Sequence, residues 1–166
     1  MSLSGMGLGG LPIHVIPALI DKGYTTAYAS ALITLFSIIV IIAKPIWGLL
    51  AERIQVRYLM VGCFTISMVG MLLIVVIESG LMILLFPIVY GIGVSAFAPL
   101  MSLIWANYFG RASLGAIRGT FIPVTQITSA FGPVFAGLIF DATGSYGPAF
   151  LTFAVCYAVS GVAIFL

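Results

Sequence analysis

Four side chains stand where a polar solute in an apolar environment could meet them: Lys44, His14, Gln126 and Tyr90. Lys44 is the most demanding. It lies in "IIAKPIWGLLAERI" (41–54), inside an apolar run that begins near Tyr28, and a proline follows it at once. A charge at the centre of a spanning helix costs about 2.5–3.5 kcal/mol on insertion scales. Such a residue faces a cavity or a partner, or its long stem carries the ammonium to the headgroups. Lining a water-filled path, that ammonium would attract an anion. His14 sits in "GGLPIHVIPALI" (9–20), bracketed by Pro12 and Pro17. An imidazole there can relay a proton near neutral pH, or bond a neighbouring helix. Gln126 flanks Thr125, Thr128, Ser129 and Gly132, which fall on one helical face and suit close packing in lipid. Tyr90 opens "YGIG" (90–93), which is no nucleotide loop: no strand precedes it and no polar helix follows.

The elements that must position these residues follow from composition. The 166 residues are 63% hydrophobic and 6% charged, with a mean hydropathy of +1.31. Soluble domains carry roughly 25% charged residues, so this chain cannot clothe a water-facing surface. The longest uncharged stretch runs from Ser79 to Gly110, and apolar stretches of about 18 or more residues read as spanning helices. Six segments result: 2–20, 26–50, 58–77, 81–107, 119–140 and 146–166. Pro87 and Pro99 predict a tilted or kinked fourth helix. No basic residue precedes the apolar part of 1–20, so that segment reads as a helix and not as a signal peptide. The net charge of +2 is small and scattered, which argues against a nucleic-acid partner. Cys63 and Cys156, each in an apolar segment, read as buried thiols and suggest neither a disulfide framework nor a metal site.

The connectors set the orientation. Arg53 and Arg57 lie in 51–57, Arg111 and Arg118 in 108–119; the odd-numbered connectors hold one basic residue between them, Lys22. The positive-inside rule places the arginine loops, and with them both chain ends, in the cytoplasm. "GLLAE" (48–52) and "GLIFD" (137–141) echo one another at the ends of the second and fifth segments, with Pro45 and Pro133 upstream. That echo suggests an all-α membrane protein whose six transmembrane helices form two inverted three-helix repeats, as in many secondary transporters.

Three stretches carry a resemblance: "GLLAERIQVR" (48–57), "YFGRASLGAIRGT" (108–120) and "GPVFAGLIFDATGSYGPAF" (132–150). The chain resembles the C-terminal six-helix half of a major facilitator superfamily transporter over its whole length, nearest the monocarboxylate and oxalate/formate branch. The resemblance implies half of a twelve-helix fold, with a missing N-terminal six-helix half as partner. It also implies a basic residue four positions before the signature glycine that holds a substrate carboxylate, and here that residue is Lys44, four before Gly48. It implies a gating contact through Glu52 and Arg53, with Asp141 as the matching acid on the outer side. The chain departs from the branch at three positions. Lysine replaces the usual arginine, Val40 stands where monocarboxylate members have an acid, and Gln55 replaces a glycine. Lysine offers a point charge where arginine offers a planar fork.

The expected function is therefore transport of small organic anions by alternating access, with proton coupling left open. No cofactor or metal is implied, and the lipid bilayer of the cell (plasma or inner) membrane is the expected surroundings. A piece of a longer protein is the expected status of the chain. The competing readings are a non-transporting scaffold, a transporter of a non-carboxylate solute, and a membrane enzyme. One histidine and four acids, mostly at helix ends, provide no cluster for an enzyme. A channel would need a filter-like polar loop interrupting a span.

Overall fold

The computed structural model describes residues 3–77, 80–109 and 114–165, without the side chains of Phe109, Leu114, Ala116 and Ile117. Arg111 of the expected cytoplasmic charge pair, and Glu78 of the third connector, lie outside the described residues. Every described element is helical: α1 (Ser4–Asp21), α2 (Thr26–Ala51), α3 (Val56–Val76), a 3-10 turn (Leu81–Leu84), α4 (Leu85–Ser95), α5 (Phe97–Phe109), α6 (Leu114–Thr143) and α7 (Gly147–Phe165). Helices satisfy all but their terminal backbone groups internally, which an apolar solvent demands.

The ends of the helices show how local chemistry sets the boundaries. α1 stops where Gly23, at φ 88°, takes a left-handed turn. Gly23 N–H donates to Ile20 O and Tyr24 N–H to Leu19 O, the paired bonds of a Schellman cap. α2 starts at Thr25, whose hydroxyl oxygen accepts from Tyr28 N–H. The expected fourth segment is broken between Ser95 and Phe97. Pro99 has no N–H to offer the Ser95 carbonyl, Ser95 Oγ donates to Ile92 O, and Ala96 N–H reaches back to Gly93 O in a tightened turn. The connector expected over 108–119 is much shorter than that. α5 continues to Phe109, and α6 begins at Leu114 and absorbs Arg118.

Five helical segments are long and apolar enough to cross a membrane: α2, α3, the α4–α5 pair, α6 and α7. The first expected span is not among them. The 18 residues of α1 are long enough, but they include Gly5, Gly7, Gly9, Gly10, Pro12, Pro17, His14 and Asp21, which lower its hydropathy. It packs along α6 and α7, while α3 packs on α7 and α4, and α2 on α4. Tyr90, Tyr157, Phe64, Phe86 and Phe153 fill the core where α1, α3, α4 and α7 converge.

Successive spanning segments run in opposite directions, α4 and α5 together counting as one. Lys22, Gly80 and Tyr146 gather at one end of the bundle, because Lys22 and Tyr146 line one cavity and Gly23 and Gly80 the next. Arg57 and Phe165 meet at the other, with the guanidinium carbon 5.7 Å from the ring centroid. Arg57 is half-buried against that ring.

Candidate functional site

α2 carries Lys44 on its exposed side. Ala29, Leu32, Ala43 and Trp47 form the buried side of the same helix, and Trp47 Nε1–H anchors it to α4 through Ile92 O at 2.9 Å. Among the described residues Lys44 has neither a hydrogen bond nor an ion pair. Ser30, Thr34 and Ser37 precede it at helical spacing, all exposed. Their hydroxyls are turned back to Thr26 O, Ser30 O and Ile33 O at 2.8, 3.0 and 2.9 Å. This stripe went unread in the sequence; three hydroxyls spaced four and three apart ahead of a lysine were the signal.

Towards the arginine end, a cavity of about 610 Å³ opens between α2 and α5, lined among others by Pro45, Gly48, Glu52, Pro99 and Ser102. Nothing lies within 4 Å of where a Gly48 side chain would begin, so the missing Cβ leaves open space. Arg118, from α6, donates to Ser102 Oγ at 2.6 Å. Glu52 and Arg53 are exposed where α2 ends, and neither side chain has a described hydrogen-bond or ion-pair partner.

α1 and α6 form a close seam. Side chains at Gly9 or Gly132 would run into the backbone carbonyls of Ser129 and Met6, and one at Gly5 would meet Thr128 Oγ1 at 2.9 Å. The threonine and serine stripe of α6 therefore packs on the glycines of α1. Gln126 lies off the seam and exposed, with no described partner. Farther along, His14 Nε2 lies 2.9 Å from Pro133 O. A carbonyl only accepts, so Nε2 carries the hydrogen.

Past His14 the ring of Tyr146 follows, 5.2 Å between centroids, itself stacked on Phe140 at 4.3 Å. Burial, and then the carboxylates of Asp21 and Asp141, hold the Tyr146 phenol above its usual range. The Lys22 ammonium donates to Ile74 O, Ile77 O and Val75 O at 2.7, 2.8 and 3.4 Å, capping the negative end of α3. Asp141 is exposed in the last turn of α6.

Tyr90 is in the closed core, 1% exposed. Its hydroxyl is 3.0 Å from that of Tyr157 and donates to Gly7 O at 3.3 Å, tying α4 to α7 and α1. Among the described residues, no hydrogen bond joins any two of Lys44, His14, Gln126 and Tyr90. What the bundle offers chemically is one unpaired ammonium on an exposed, hydroxyl-lined helix face, with a cavity beginning at the next residue.

A family model described as Major Facilitator Superfamily matches residues 1–166. Monocarboxylate transporter 12 of Rattus norvegicus is 24% identical over 149 residues, covering 87% of this chain and 31% of that protein. Monocarboxylate transporter 12 of Homo sapiens is 25% identical over 149 residues, covering 87% and 29%. The chain thus spans about a third of the length of the curated relatives it matches.

Proposed function

Because the chain belongs to the major facilitator superfamily, we propose that it forms one six-span half of a secondary transporter that moves small organic anions by alternating access. In this reading α1 crosses the membrane with the other five segments, and helices α1–α3 and α4–α7 form the two inverted repeats. The arginine end faces the cytoplasm of the cell membrane, with both chain ends on that side. Lys44 supplies the counter-charge for the anion, and Gln126 and His14 add polar contacts along the pathway. Tyr90 positions α1 through Gly7 and Tyr157. Glu52 and Arg53 at one end, and Asp141 at the other, make contacts that form and break as the pathway changes sides.

The observation that carries the reading is the place of Lys44. It is exposed and unpaired on one of the two least enclosed helices of the bundle. Of the 18-residue apolar window in each spanning segment, 17% is buried in α2 and 11% in α6, against 44% in α3, 44% in the α4–α5 pair and 39% in α7. Those two helices present faces that a second helical bundle would cover, leaving a polar path between the halves. The name of the relatives supports a monocarboxylate as the anion.

The experiment is uptake into vesicles carrying the transporter as expressed from its gene. A labelled short monocarboxylate is compared with a neutral amide and an amine of the same size. Preferential uptake of the anion is expected. Equal uptake of all three, or none above empty vesicles, contradicts the reading.

A further inference from the structure

We propose that His14 is a proton-binding site reached through the cavity at the Lys22 end, and that its charge sets how firmly α1 is held to the α6–α7 corner. The cavity, about 450 Å³, is lined by Asp21, Lys22, Ser145, Tyr146, Phe150 and Ala18, among others. Ala18 lies one turn beyond His14 on α1, about 6 Å along the axis at ~1.5 Å per residue. Tyr146 both lines the cavity and touches the imidazole. The cavity therefore comes within one helical turn of the ring.

The groups facing His14 define what a proton would do there. From α6 come the Pro133 carbonyl, which Nε2–H already engages, Gly137, and Asp141 one turn beyond. The α6–α7 connector brings the Tyr146 ring, and α7 brings the uncharged Phe150 behind it. α1 itself contributes Asp21, whose carboxylate acts on Tyr146, and Lys22, whose ammonium is directed to the α3 carbonyls. Nδ1 has no described partner, so it is the nitrogen that takes the proton.

With both nitrogens protonated, the bond to Pro133 O becomes charge-assisted and stronger. The cationic ring also gains attraction to Tyr146, because 5.2 Å is within the roughly 6 Å reach of a cation–π contact. Both changes pull α1 onto the α6–α7 corner, so acid tightens the seam and alkali loosens it. A charge gained or lost on His14 therefore acts on this seam from one side of the bundle. For the consequence in uptake, the proposal rests on the transporter reading; the protonation itself does not.

The chain has a single histidine, so its imidazole signals need no assignment. The 166-residue chain, labelled at histidine and tyrosine, is titrated in lipid nanodiscs by NMR from about pH 5 to about pH 9. The expected result is one step in the imidazole signals, with Tyr146 ring signals moving at the same midpoint and Tyr146→Leu removing the latter. An imidazole that does not titrate, or titrates while Tyr146 stays fixed, overturns the proposal.

In uptake, His14→Gln should bring the ratio between about pH 6 and about pH 8 outside the vesicle close to 1. A wild-type ratio in that variant also overturns the proposal. Linked titration in a protein that takes up no anion would leave the histidine assignment standing and defeat the transporter reading instead.

Discussion

Two polar side chains in apolar surroundings, Lys44 and Tyr90, meet the cost of that setting in opposite ways. Tyr90 is wholly enclosed, and its hydroxyl is satisfied by Tyr157 and Gly7 O. Lys44 is left outside, where water or a second bundle must satisfy it. The tyrosine pair makes an asymmetric prediction. Tyr90→Phe strips Tyr157 of its described partner, whereas Tyr157→Phe leaves Tyr90 bonded to Gly7 O. A buried hydroxyl without a partner costs about 1–3 kcal/mol. Tyr90→Phe should therefore destabilise the folded chain more than Tyr157→Phe, by about 1 kcal/mol, measured as thermal unfolding in detergent. Equal losses would show that the shared bond is not what holds α4 to α7. Lysine inside an apolar run was legible from the sequence because its cost is local. The pairing of Tyr90 was not, since its partner is 67 positions away and no periodicity reports a contact between distant helices.

The α1–α6 seam and the Lys22 cap decide how the helices fit. Carbonyl oxygens stand where a Gly9 side chain would go, and backbone cannot step aside as a side-chain tip can. Gly9→Ala should cost about 1–3 kcal/mol by forcing the helices apart. Gly48→Ala, with open space around it, should fall within about 0.5 kcal/mol of wild type. Unfolding midpoints of the two variants, compared directly, check the seam. Lys22→Met removes the charged donors from the last carbonyls of α3 and should cost about 1–2 kcal/mol. Hydrogen exchange concentrated at the end of α3 would locate that loss; uniform change would contradict it. Small and hydroxyl residues at three- and four-residue spacing announced the packing face of α6, and Pro99 announced the break in the fourth segment. The target of Lys22 could not be read, because the carbonyls it caps belong to another helix more than fifty positions away. The continuation of α5 and α6 into 108–119 was also missed: glycines and arginines there look like a loop, but only Gly110–Ser113 fall between the described helices.

The bundle as a whole is an alternating set of spanning segments with its described arginines at one end and its aspartates at the other, and with two faces, those of α2 and α6, far less enclosed than the rest. Charge placement alone predicted the alternation, because positive loops separate the two ends. The uneven burial was invisible in the sequence. Most residues of the spanning segments are apolar, and an apolar residue facing lipid looks the same as one facing a neighbour. If α2 and α6 border a solute path, replacing Lys44 must act on the solute and not on the fold. The most direct measurement is monocarboxylate uptake by wild type, Lys44→Gln and Lys44→Arg at equal amounts of folded protein. A loss of at least about tenfold with glutamine, and retention with arginine, is the predicted pattern. Uptake unchanged by glutamine would show that the ammonium serves no anion and contradict the account.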